Sequence, residues 1–148
     1  MKKNTMEKKT LRQQLKTHSV AIISLFVAIA ALLYTGWREE TTERNRTLRT
    51  AGFEVLKNLG QLQIVVNNAY YNKDTSKGNI FLGWGYIALI GDISQLLPEP
   101  VPTQCAKLVH EWAEDVEMLQ SDEKAVDSIT TEIDNCRSEV LHSIKTLR

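Results

Sequence analysis

Cys105 and Cys136 are the residues whose type and spacing point most directly to chemistry, here a disulfide. Each lies in a segment whose apolar residues recur every three or four positions, and a tight turn at Gln120-Ser121 separates the segments. In an antiparallel hairpin folded about that turn, positions 105 and 136 fall at one level. Both also belong to the apolar seam, so the thiols are expected to face each other. Closing a loop of about thirty residues stabilises a fold by roughly 3–4 kcal/mol on the chain-entropy model. Buried free thiols acting as small apolar residues are the plainer alternative.

The other reactive side chains converge less well. His110 and Glu114 stand four apart, a spacing that presents two metal ligands on one helical face, but a site needs three or four. His142 falls at a different level, so no metal and no cofactor is expected, and Glu111, Glu114, Asp115 and Glu117 read as a solvated acidic face. Asp74-Thr-Ser-Lys-Gly78 lacks the further acidic ligands of a calcium loop, and Gly85 stands where its bidentate Glu belongs. Gly83-Trp-Gly85 lacks the third glycine and the strand of a dinucleotide site. Asn45-Arg-Thr47 is a formal glycosylation acceptor, relevant only to a eukaryotic secretory route. No nucleophile and base can be paired by spacing, so the chain is read as not an enzyme; an enzyme of unknown type is the second alternative.

The elements that hold these residues begin with an apolar run. From Ser19 to Trp37 the chain carries no charged side chain. As a helix those residues extend about 28 Å, close to the roughly 30 Å of a hydrocarbon core. Tyr34 and Trp37 suit the interface, and Arg38-Glu39-Glu40 ends the span. A cleaved signal peptide also needs a basic start and an apolar run, but Ala28-Ile-Ala30 lies inside the run rather than after it. Six bases against Glu7 give residues 1–18 a charge of +5, and twelve bases against seventeen acids give residues 38–148 a charge of −5. The positive-inside rule then predicts a cytoplasmic tail (1–18), an uncleaved signal anchor (19–37) and an extracytoplasmic region (38–148). In a bacterium this means the inner membrane and the periplasm. The basic tail lacks interleaved aromatics and any recognition motif, so anionic headgroups rather than nucleic acid are its expected partner.

Residues 38–148 divide at Asn72–Asn79, at Pro98-Glu-Pro-Val-Pro102 and at Gln120-Ser-Asp122 into helices near 38–72, 79–97, 103–119 and 122–147. Leu48, Gly52, Val55, Leu59, Leu62, Val66 and Ala69 form the seam of the first. Cys105, Leu108, Trp112, Val116 and Leu119 form that of the third. Val126, Ile129, Ile133, Cys136, Val140, then Ser143 or Ile144, and Leu147 form that of the fourth. The fold class expected is all-α: one N-terminal transmembrane helix, then an antiparallel up-down-up-down four-helix bundle. If the outer turns lie level, residue 72 stands beside 122 and residue 47 beside 147. In topology alone, the layout is similar to the periplasmic helical sensor domains of bacterial chemoreceptors and related kinases. Those receptors continue into a second span and signalling modules, whereas Arg148 ends this chain, so any signal is expected to pass through partners.

Three surfaces are candidates for binding. Ala21, Ser24, Ala28, Ala31 and Thr35 make a stripe of small residues along the span, the pattern of close helix packing in lipid, and predict a homodimer. The second helix carries no charge over thirteen residues and reads as a buried helix. Its glycines weaken it unless something approaches closely: a neighbouring helix, or a ligand in a crevice of Gly83, Trp84, Gly85, Tyr86 and Trp112. Asn67, Asn68, Tyr70, Tyr71 and Asn72 gather at the outer tip as a docking surface, or as a polar helix end over the first core layer. The expected function is a non-enzymatic envelope interaction module, an accessory sensor or scaffold. Its partners are the lipid bilayer, itself and another membrane protein. A small-ligand-binding sensory bundle is the first alternative.

Overall fold

The computed structural model describes residues 11–74 and 76–147, and side chains from His18 onward. Most of the expected basic tail lies outside the described residues. The described chain is all-helical: α1 (Leu11–Asn67), α2 (Ile80–Ser94), α3 (Val101–Asp115) and α4 (Glu123–Thr146). A π-helical turn, Asn68–Asn72, follows α1, and a 3₁₀ turn, Val116–Met118, follows α3. Two compact units divide between Glu43 and Arg44.

The first unit holds one helix long and apolar enough to cross a membrane, and none of its apolar window is covered by protein. Phe26, Leu32 and Leu33 are each about 70% exposed, as are Val20 and Trp37. Among the described residues of its unit, a helix of that composition has no counterpart to pack on. Thr35 donates its hydroxyl to the Ala31 carbonyl, which satisfies it inside the helix.

The second unit is built around one apolar core. Val55, Leu59, Leu62 and Val66 of α1 meet Ile87 and Ile90 of α2, Leu108 and Trp112 of α3, and Ile129 and Ile133 of α4, all buried. The seams expected on the first, third and fourth helices are the buried ones, except that Leu48 and Leu147 are half-buried. Ser143 takes the last inward position on α4 while Ile144 lies half-open. Ile144 still packs: its Cδ1 and Cγ1 reach over Gly52, where a Cβ would meet them at 2.6 and 2.8 Å.

Chain direction is fixed by contacts between α1 and α4 and between the residues that adjoin them. Arg49 donates to the Leu147 carbonyl (3.0 Å), Gly52 lies under Ile144, Gln63 donates to Thr130 Oγ1 (3.4 Å), and Lys73 donates to the Gln120 carbonyl. The two segments therefore run oppositely, within about two residues of the level expected from the sequence.

Helix limits follow from capping chemistry. Asn79 Oδ1 accepts from Phe81 N at the start of α2, and Asp122 Oδ1 accepts from Lys124 N at the start of α4, both at 2.9 Å. Helix α3 begins at Val101, two residues before the expected start. Pro102 sits within its first two positions, where a helix needs no N–H.

Candidate functional site

Cys105 and Cys136 are both fully buried, and their sulfurs lie at bonding distance with Cα atoms 4.9 Å apart. The pair is thus disulfide-capable within the core rather than at a surface. Gln104 of α3 donates to Glu132 of α4 at 2.9 Å one turn away, which sets the same two helices in register. Close approach of α3 and α4 is what brings two seam cysteines inside the 4.4–6.8 Å window of Cα separations.

The residues of the expected ligand crevice are divided by the structure. Gly83 is buried, and the Trp112 ring fills the space over it so tightly that a Cβ would fall well inside contact with Cζ2 and Cη2. Trp84, 42% exposed, meets Trp112 edge-on with centroids 6.3 Å apart, while Tyr86 is half-buried against the core. Gly83 therefore serves helix packing. Gly85, two residues on, faces open space. The Trp112 indole N–H is buried and has no acceptor among the described residues.

Helix α2 departs from the expectation of a buried helix. Gly83, Ile87, Ile90 and Ser94 face the core, but Phe81 is 85% exposed and Leu82, Leu89 and Leu96 are open as well. A charge-free stretch gives no period-3.6 contrast, so the sequence offered no way to tell the covered face from the uncovered one. The one readable trace was the heptad repeat of leucines at 82, 89 and 96, which marks one edge of the uncovered face.

At the outer tip the asparagines are engaged locally. Asn68 donates to the Ile64 carbonyl, Asn72 to Asn68 Oδ1, and Gln63 to Asn67 Oδ1. Tyr70 is half-buried over the core, with its ring edge-on to Tyr71 and Lys73 Nζ 5.1 Å from its centroid. Desolvation, then Glu123, Tyr71, Asp122 and Asp127, raise the Tyr70 phenol above its usual pKa. Tyr71 alone of the five projects its ring into solvent, 64% exposed. Lys73 closes the helix end in the left-handed conformation (φ 50°). Gly78 lets the turn lie on the π-helical segment: a Cβ there would come within 2.6 Å of Ala69 Cα and 2.8 Å of the Asn68 carbonyl carbon.

Asp74 is spent on that turn, its Oδ1 accepting from Ser76 N (2.9 Å) and Lys77 N (3.2 Å). His110 and Glu114 are both exposed, and among the described residues no group of three or more His, Cys, Asp or Glu could hold a metal ion. In the span, Ala21, Ser24, Ala28, Ala31 and Thr35 are all exposed.

Comparison with family models, with curated proteins and with solved structures gave no match.

Proposed function

We propose that this chain is a single-pass, membrane-anchored interaction module of the cell envelope, without enzymatic activity, acting as an accessory sensor or scaffold. Residues 19–37 form its anchor, the basic tail lies in the cytoplasm, and residues 38–148 form an up-down-up-down four-helix bundle in the periplasm of a bacterium. One observation carries the reading: an apolar helix with no protein cover stands between a +5 segment and a −5 region. Uncovered apolar surface of that length is stable in hydrocarbon and not in water, and the basic flank is the one retained inside. Interaction rather than catalysis is favoured by where the polar groups sit. The polar residues buried in the described core are Asn58, Ser94 and Ser143, none of which titrates, and the acids and histidines lie on outer faces.

A reporter active only outside the cytoplasm, fused after Arg148, tests the orientation. An active fusion is expected, and an expressed but inactive one overturns the assignment. Crosslinking in intact cells followed by copurification should return a discrete membrane partner or a second copy of this chain. Recovery of the uncrosslinked chain alone would refute the scaffold reading.

A further inference from the structure

We propose that the outward face of α2 is a homodimer interface, on which the same face of a second copy docks. Five large apolar side chains on this helix and the turn after it remain open over two-fifths or more of their surface: Phe81 (85% exposed), Leu82 (49%), Trp84 (42%), Leu89 (46%) and Leu96 (62%). At 100° per residue, Phe81, Gly85 and Ala88 run down the middle of this face. The three leucines form one edge and Trp84 the other. The inward residues Gly83, Ile87, Ile90 and Ser94 lie diametrically opposite. Helix α2 thus has two apolar faces, and the core uses one.

Together these side chains leave roughly 500 Å² of apolar surface open, at the upper end of the 300–600 Å² typical for a monomer's largest patch. One such face is too small for a stable interface. Two of them, fully covered face to face, remove up to about 1,000 Å² from water, the threshold between a crystal-type contact and a modest, reversible interface.

The glycines point to close approach on this face. Gly83 is explained by the Trp112 ring above it, but a Cβ at Gly85 would meet nothing within 4 Å. A mid-helix glycine weakens a helix by about 1 kcal/mol relative to Ala. No contact among the described residues explains Gly85, and beside Ala88 it lets a second backbone cross closely.

Charge selects a copy of the chain as occupant. From Gly78 to Pro98 the single charge is Asp92, so a charged partner finds no complement there. A lipid surface is disfavoured as well, because interfacial helices carry Lys or Arg beside the apolar face and residues 38–148 sum to −5. A neutral apolar surface matches itself. Tethering in one membrane, which rests on the function proposed above, raises the local concentration at which a modest interface fills.

The test uses the full chain in membranes, with single substitutions Gly85→Cys and Ala88→Cys on this face. Ala113→Cys on α3 and Thr131→Cys on α4, both exposed, are the comparators. A short bismaleimide, which needs no oxidising compartment, reads the proximity; Cys105 and Cys136 are fully buried and paired. At least fivefold more covalent dimer at 85 and 88 than at 113 and 131 is expected, and Phe81→Glu should abolish the excess. Because Phe81 is exposed, unchanged circular dichroism of that variant will show that the fold persists. Equal crosslinking at all four sites, none at 85 and 88, or an adduct of another mass would each overturn the proposal. The readout is independent of which side of the membrane the region occupies, so its failure is separable from failure of the reporter fusion.

Discussion

Gly83 and Gly85 stand two residues apart on one helix, yet replacement by alanine should move stability in opposite directions. At Gly83 the added methyl enters space already held by Cζ2 and Cη2 of Trp112. That ring is rigid and fully buried, and it is flanked by Trp84, so it has little room to yield. Overpacking of this kind costs about 1–3 kcal/mol, with a rigid ring at the upper end. The helix regains about 1 kcal/mol from the better propensity of alanine. The net loss is about 2 kcal/mol. In a unit of this size that corresponds to a fall in Tm of roughly 10 °C. At Gly85 nothing lies within 4 Å of the new methyl, so only the propensity gain remains, about 1 kcal/mol or a rise of roughly 5 °C. Thermal melts of full-length protein in detergent, at dilution, followed by circular dichroism, read both values. If both variants shift the same way, or if Gly83→Ala melts at or above the wild type, the placement of Trp112 over α2 is wrong.

Other outcomes follow from single features. Gly78→Ala should cost about 3 kcal/mol, because the neighbour is the backbone of Ala69 and Asn68. Gly52→Ala should cost less than half as much, because the Ile144 side chain can swing aside; urea unfolding measures both. Replacing Cys105 and Cys136 together by Ala should lower stability by roughly 3–4 kcal/mol, since a bond between them spans 31 residues. Two alkylated thiols in unreduced protein, seen by mass spectrometry, would refute that bond. The Tyr70 phenol should ionise above pH 10, seen as the absorbance lost from a spectrophotometric titration of Tyr70→Phe. Its raised pKa means that the unfolded chain loses this proton first, so stability should fall as pH rises past 10 and level off above the folded value. Single cysteines along the span should crosslink with a period near 3.5, strongest at positions 24, 28 and 31; a uniform pattern would mean that the small-residue stripe is not an interface.

Much of this architecture is legible in the sequence because its helices alternate apolar and charged residues. The seam of α4 from Val126 to Val140 and that of α3 from Cys105 to Leu119 follow directly from 3.6-residue periodicity, and the α1–α4 register follows from where the turns fall. Two features resist. Pro102 reads as a helix breaker, although a proline in the first turn is compatible with a start at Val101. Helix α2 has no polar face, so its orientation is decided by Trp112 filling the notch at Gly83, a contact between residues 29 apart that no local pattern records. The local bonding at the outer tip is hidden from the sequence for a related reason. Sequence shows asparagine side chains, but not that Asn68 and Asn72 are satisfied by their own helix.

The cysteine pair has a mechanical consequence. Residues 49 and 147 lie side by side, so tension applied between the two ends of the second unit would peel α4 from α1 turn by turn rather than shear them. With a covalent link between residues 105 and 136, the enclosed stretch could not extend. At up to about 3.5 Å per residue, roughly 100 Å of contour length would be withheld. A hairpin of α3 and α4 would survive as a knot-like stop on the stretched chain, leaving a template on which the remaining helices could reassemble once the load was released.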